Sequence, residues 1–245
     1  MKYLLVAALL FVTATIHAQS PRTVNTRQMI WAGLSGDYKF NQIWSAGLDG
    51  QFRFEFADGD IYQWLVRAYA ACQAGNGLRF SAGAAYGRVY PNPNGKVARP
   101  EWRPWQEIGR KWLIGIHHTL YPRVRFEQRF IREYAGSELA DDFTLTYRLR
   151  LRTDYNYLIR SDSGEQKWSL IAGEEIMFNQ KPDGFSGFDQ NRVWGGIAYK
   201  FAPSNSVNLL YMHVWQQRNH SLFDQFHVIR ITWQFIMDRK KGQKK

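Results

Sequence analysis

The run Phe143-Thr144-Leu145-Thr146-Tyr147-Arg148-Leu149-Arg150-Leu151-Arg152 alternates strictly between apolar and polar side chains. Successive side chains of a strand point to opposite faces, so Phe143, Leu145, Tyr147, Leu149 and Leu151 share one side and Thr144, Thr146, Arg148, Arg150 and Arg152 the other. A helix would scatter both sets around its circumference. The run is therefore a strand, and its polar face carries three consecutive cations.

The same split recurs on both sides of that run. Leu120, Val124, Phe126 and Phe130 oppose Arg123, Arg125, Glu127 and Arg129. Trp44, Ala46, Leu48, Phe52, Phe54 and Phe56 oppose Ser45, Asp49, Gln51, Arg53 and Glu55, and Ile30, Ala32, Leu34, Tyr38 and Phe40 oppose Ser35, Asp37 and Lys39. Turn dipeptides that tolerate positive φ separate the runs: Asp58-Gly59, Asn76-Gly77, Asn94-Gly95, Ser163-Gly164 and Asp183-Gly184. The pattern predicts strands over 27–40, 43–56, 60–74, 77–90, 103–112, 117–133, 142–159, 167–178, 188–201, 206–217 and 222–237. No helical block lies between them, so they form an antiparallel meander.

Connections alternate between tight turns near 41–42, 75–76, 113–116 and 202–205 and longer segments near 91–102, 134–141, 179–187 and 218–221. Unequal ends belong to an up-and-down barrel with short turns on one side of a membrane and loops on the other. A soluble sandwich would hide its aromatic face and leave the polar one in water, and here the polar face is too densely charged for that. The expected fold is all-β: a closed antiparallel transmembrane barrel of ten to twelve strands. Twelve is preferred, because bacterial single-chain barrels normally close on even numbers. Glu174 is a misfit, sharing parity with Trp168 and Leu170; a bulge, an interfacial position or a misread strand would account for it.

Composition agrees with a folded, exported chain. Of 245 residues, 45% are hydrophobic and 16% aromatic, with a formal charge of +11, which excludes a disordered polymer. Lys2, the apolar stretch Tyr3–Ile16 and Ala18 before Gln19 have the three regions of a secretory signal peptide. The organisation read from sequence is a signal peptide over 1–18, a barrel over 19–237 and a basic tail over 238–245. Export makes nucleic acid an improbable partner despite the basic charge, and no later segment reaches the length of a membrane-spanning helix. The single Cys72 forms no internal disulfide and reads as a small apolar strand residue.

Several stretches carry a family resemblance: Arg103-Pro104-Trp105-Gln106, Arg125-Phe126-Glu127-Gln128-Arg129-Phe130, Tyr147-Arg148-Leu149-Arg150-Leu151-Arg152 and Phe188-Asp189-Gln190-Asn191-Arg192. With them the chain resembles, over nearly all of 29–237, the uncharacterised bacterial outer-membrane barrel family labelled domain of unknown function 2490. The resemblance implies a barrel, an outer-membrane address, and outer-membrane lipid and the barrel assembly machinery as partners. It implies no reaction. Phe226, Ile229, Ile231, Trp233 and Phe235 resemble the aromatic terminal strand of such barrels.

Parity assigns Arg53, Arg67, Arg123, Arg125, Arg129, Arg148, Arg150, Arg152, Arg192 and Arg230 to the lumen, with Glu127, Asp154 and Glu175 among their counter-charges; Asp49, Glu55 and Glu133 are further candidates. Two functions compete for this set. Paired charges fill the lumen of a non-enzymatic envelope protein, or a surplus of guanidinium groups makes a narrow anion-selective pore. Trp44, Tyr62, Trp64, Tyr86, Tyr90, Trp168, Tyr199, Tyr211 and Trp215 suit membrane girdles, with carbohydrate stacking as the sharper alternative. The segment containing Trp102, Arg103 and Trp105 is read as an external loop able to recognise a small anion or glycan.

A lipid- or glycan-modifying enzyme is a separate alternative. His213, His220 and His227 with Ser221 and Asp224 fit no specific triad spacing, so no catalytic residue is assigned. Adjacent His117 and His118 point to opposite faces and give no metal site, and Gly83, Gly87 and Gly109 lack the strand-loop-helix context of a phosphate loop. No cofactor is expected.

Overall fold

A computed structural model describes residues 23–57, 59–90, 97–135, 138–159, 167–181, 184–219 and 221–239. The expected signal peptide and most of the basic tail lie outside these residues, as do His220 and the Asn94-Gly95 and Ser163-Gly164 turns. The strand elements are β1 (Thr23–Lys39), β2 (Trp44–Glu55), β3 (Ile61–Gln73), β4 (Leu78–Val89), β5 (Arg99–Arg110), β6 (Trp112–Ile114), β7 (His118–Ala135), β8 (Glu138–Leu158), β9 (Trp168–Lys181), β10 (Gly184–Ala202), β11 (Asn205–Gln217) and β12 (Leu222–Asp238). They form one closed sheet, as the alternation predicts.

The sheet has twelve strand elements, but they make eleven staves. β5 and β6 both pair with β7, and between them the Lys111 amide still bonds to the Gly77 carbonyl, so β6 is the lower end of the β5 stave. An odd meander returns with its last strand pointing the same way as its first. The seam between β1 and β12 is accordingly parallel, running in unbroken register from Thr23 opposite Leu222 to Lys39 opposite Asp238, while every other pairing is antiparallel. Even closure, the ground for preferring twelve, is not what closes this wall.

The ladder also shows how the staves tilt. Followed sideways from Asn25 through Asp224, Gln216, Gln190, Met177, Arg150, Arg125, Glu107, Ser81, Ala71 and Ser45, it returns to β1 at Lys39, near the other end of the strand from where it began. That offset is the stagger a closed barrel requires, and it fixes the tilt.

The lower rim, where β12 ends, carries compact turns. Asn76 and Gly77 both have positive φ, 59° and 75°, the geometry of a hairpin turn matched to strand twist. At the upper rim two of the expected long connections are largely strand instead: β7 runs on to Ala135 and β8 begins at Glu138, and β9 runs on to Lys181 and β10 begins at Gly184.

The outer wall is apolar. Leu34, Leu48, Phe52, Val124, Phe126, Leu149, Leu151, Leu170, Ile229 and Ile231 are all exposed on it. Rings gather at both rims: Trp168 on Tyr199 at 4.5 Å and Phe201 near Trp233 below, Trp64, Tyr86 and Trp102 in a row above. These are the girdles expected where wall meets headgroups. Tyr62 is the exception. A bulge between the Arg53 and Phe54 pairings turns its ring inward, to Phe226 at 6.1 Å and to Arg218 Nη2, which donates to its hydroxyl at 3.0 Å.

Candidate functional site: the filled lumen

Half of the lumen is an ionic network on β5, β7, β8, β9 and β10. Glu127, wholly buried, is its centre: Arg150 Nη1 donates to Oε1 at 2.7 Å, and Arg103, Arg125 and Arg148 lie at 3.7, 3.9 and 4.0 Å. Arg150 reaches on to Glu175 through Nε at 3.0 Å and Nη2 at 2.6 Å, and Arg192 approaches the other Glu175 oxygen at 3.4 Å. Arg129 forks onto Glu101 at 2.5 and 3.1 Å, an acceptor it shares with Arg103. Arg148 joins Asn179 at 2.8 Å and Asp189 at 3.0 Å. Towards the lower rim, Asp154 accepts from Arg123 and from Arg152, and Glu107 from Arg125 at 2.8 Å. On β2 and β3, Arg67 binds Asp49 through Nε at 2.8 Å. Desolvated charges persist only when paired and hydrogen-bonded; planar guanidinium groups, each serving two acceptors, meet that condition.

The other half is apolar. Met29, Trp31, Trp194, Leu210, Met212, Val214, Phe226 and Val228 form one buried cluster from β1, β10, β11 and β12. Tryptophans join the halves: Arg53 lies 3.9 Å and Arg192 5.3 Å above the Trp31 ring, Arg152 4.6 Å above Trp194, and Arg125 4.0 Å above Trp105. Such cation–π contacts gain from being out of water.

In the structure Arg67, Arg123, Arg125, Glu127, Arg129, Arg148, Arg150, Arg152, Asp154, Glu175 and Arg192 take part in these ion pairs, Arg53 lies over Trp31, and Arg230 lines the cavity at the lower rim. Glu101, Glu107 and Asp189 complete the network and were not foreseen. The loop reading of 102–105 is corrected, since all of these residues belong to β5: Trp102 faces outward in the upper girdle, Arg103 turns inward to Glu101, and Trp105 is buried. Pro100 and Pro104 both lie within this strand, where proline is unusual. The strand tolerates Pro104 because the ladder to β7 has no pairing at Arg103 or Pro104 and resumes in the same register at Trp105.

Among the described residues the histidine alternative does not bring Asp224 and His227 together. Asp224 is buried and receives Arg218 Nε at 2.5 Å, whereas His227, three residues on, has the opposite parity and accepts or donates at Tyr211 Oη, 2.6 Å away on the outer face. Wall lies between them. Among the described residues no group of three or more metal-ligating side chains forms a metal site.

Below the network the lumen opens into a vestibule of about 840 Å³ at the lower rim, floored by Arg123, Arg152, Asp154, Trp194 and Arg230.

No curated protein matches this chain. Among solved structures, the β domain of the Bordetella autotransporter BrkA aligns over 78% of this chain and 79% of its own, with 16% identity and a TM-score of 0.47. A bacterial polysaccharide outer membrane secretin aligns over 78% of this chain and 63% of its own, with 9% identity and a TM-score of 0.50. OmpT, an outer membrane protein of Vibrio cholerae, aligns over 71% and 54%, with 16% identity and a TM-score of 0.39. At these identities the likeness concerns the fold alone. The family described as protein of unknown function (DUF2490) matches over residues 28–227, from the first stave into the last, and the chain belongs to that family.

Proposed function

We propose that this protein resides in the bacterial outer membrane as a sealed barrel, a non-enzymatic envelope component whose lumen is a core and whose exchanges with the surroundings occur at its rims. The burial of Glu127 among Arg103, Arg125, Arg148 and Arg150 carries this reading. A conducting lumen would keep water beside its charges; here the carboxylate has no exposed surface, and Trp31, Met177, Met212 and Val228 are buried with it, which supports a sealed interior. The outer-membrane address is supported by the apolar wall between two aromatic girdles and by the leader-like residues 1–18, which imply lipid and the barrel assembly machinery as partners.

The test is conductance. Refolded protein inserted in planar bilayers should give no reproducible steps, and replacing Arg150 and Glu127 together with alanine should open a measurable leak. Reproducible chloride-preferring conductance in the unmodified chain would establish the anion pore instead. Membrane fractionation of the native host tests the address: recovery with the inner membrane or in the soluble periplasm overturns it.

A further inference from the structure

The vestibule at the lower rim is where the arginine pairing fails. Arg123 and Arg152 share Asp154, and Arg123 also approaches Glu107 at 3.7 Å. Arg230, on the same floor, has no ion pair among the described residues; it donates only from Nε, to Thr232 Oγ1 at 3.2 Å, within its own strand. Its two terminal nitrogens therefore meet no acceptor among the described residues. Of the three guanidinium groups on this floor, Arg230 is thus left without a carboxylate of its own, at the end of a cavity of about 840 Å³. A guanidinium cannot shed its proton to relieve this, and its free edge presents two parallel donors of the kind that carboxylate and phosphate oxygens accept. Arg152 is held over Trp194 at 4.6 Å, so its plane is fixed before any ligand arrives.

We infer that the vestibule floor binds a small oxyanion, a phosphate or carboxylate group of a water-soluble solute entering from the lower rim, with Arg230 as its principal ligand and Arg152 beside it. The site lies below the sealing network, so binding requires no passage through the barrel. Conductance and binding are read by separate experiments.

Inorganic phosphate is the probe, titrated calorimetrically into the refolded full chain in detergent at fixed ionic strength set with chloride. A saturable single-site isotherm is expected, weakened about tenfold or more in Arg230→Gln and unchanged in Arg53→Gln, whose guanidinium also lacks a carboxylate but is stacked on Trp31 away from the vestibule. Absence of saturation at tens of millimolar phosphate, an equal response to added chloride, or wild-type affinity in Arg230→Gln each overturns the proposal. If Arg230→Gln fails to give the compact, heat-sensitive band of a folded barrel, Arg230→Lys replaces it: this variant keeps the charge but loses the fork, so weaker phosphate binding is expected and unaltered affinity overturns the assignment.

Discussion

Glu174 and Glu175 are neighbours in β9 that face different surroundings. Glu175 is 3% exposed and receives Arg150 at 2.6 Å and Arg192 at 3.4 Å. Glu174 points out of the same wall, paired across the sheet with exposed Val193, and accepts from Asn191 Nδ2 at 2.8 Å. The sequence misfit is thus neither a bulge nor a misread strand: β9 runs through it in register, and the carboxylate faces outward. Removing one partner of a buried ion pair costs about 3–5 kcal/mol because the other charge is left stranded. Glu175→Gln should therefore lower unfolding free energy in lipid vesicles by about 3 kcal/mol, whereas Glu174→Gln, which takes a carboxylate off a lipid-facing surface, should stay within about 1 kcal/mol of the parent or exceed it. Equal losses in urea titrations of the two variants would mean that the wall does not separate them.

Arg150 serves Glu127 and Glu175 at once, so its loss strands two acids. Arg150→Met alone is expected to cost about 4 kcal/mol. Adding Glu127→Gln and Glu175→Gln should restore part of that loss, because the orphaned charges disappear together and neutral amides hydrogen-bond at lower desolvation cost. Strict additivity of the three changes in denaturant unfolding would refute this coupling.

The parity of the outer wall is legible because 143–152 of β8 and 123–127 of β7 alternate strictly, and a one-residue slip would move every arginine from lumen to lipid. Other parts gave no such signal. In β11 the run Leu209, Leu210, Tyr211, Met212, His213, Val214, Trp215 is largely apolar at both parities, one set facing outward and the other packed in the lumen core. Period two is silent when both faces are apolar, so the apolar half of the filling was invisible. Arg230 could be assigned inward, but its lack of a partner depends on which staves stand opposite, and that is set by stagger around the whole circumference. Odd closure was hidden for a related reason. The segmentation counts strands, whereas the direction of the seam emerges only when the last meets the first.

Gly173 faces inward beneath Trp194. A Cβ there would stand 2.4 Å from the indole Cζ2 and 2.6 Å from the Thr153 carbonyl oxygen, whereas at Gly195, on the outer face, the nearest atom is 4.0 Å away. Gly173→Ala must push Trp194 off its seat below Arg152, and overpacking of this kind costs about 1–3 kcal/mol. Gly195→Ala should be within about 0.5 kcal/mol of the parent. The thermal midpoint of the heat-sensitive band reads both variants, and a matched drop would place Trp194 elsewhere.

The parallel seam makes a demand that antiparallel closure cannot meet. Ile30 stands opposite Ile229 and Tyr38 opposite Met237, with the same sequence offset at both levels; if β1 and β12 ran antiparallel, aligning one pair would carry the other to opposite ends of the strands. Neighbouring strands bring Cα atoms into the range a disulfide spans. In a Cys72→Ala background, Ile30→Cys with Ile229→Cys and, separately, Tyr38→Cys with Met237→Cys should each give an intramolecular crosslink, seen as a mobility shift of the unfolded, unreduced chain. The crossed pair, Ile30→Cys with Met237→Cys, should not crosslink, because the register holds those positions many residues apart. Crosslinking of the crossed pair, or of only one matched pair, would mean that the barrel closes through a different strand order or an additional stave.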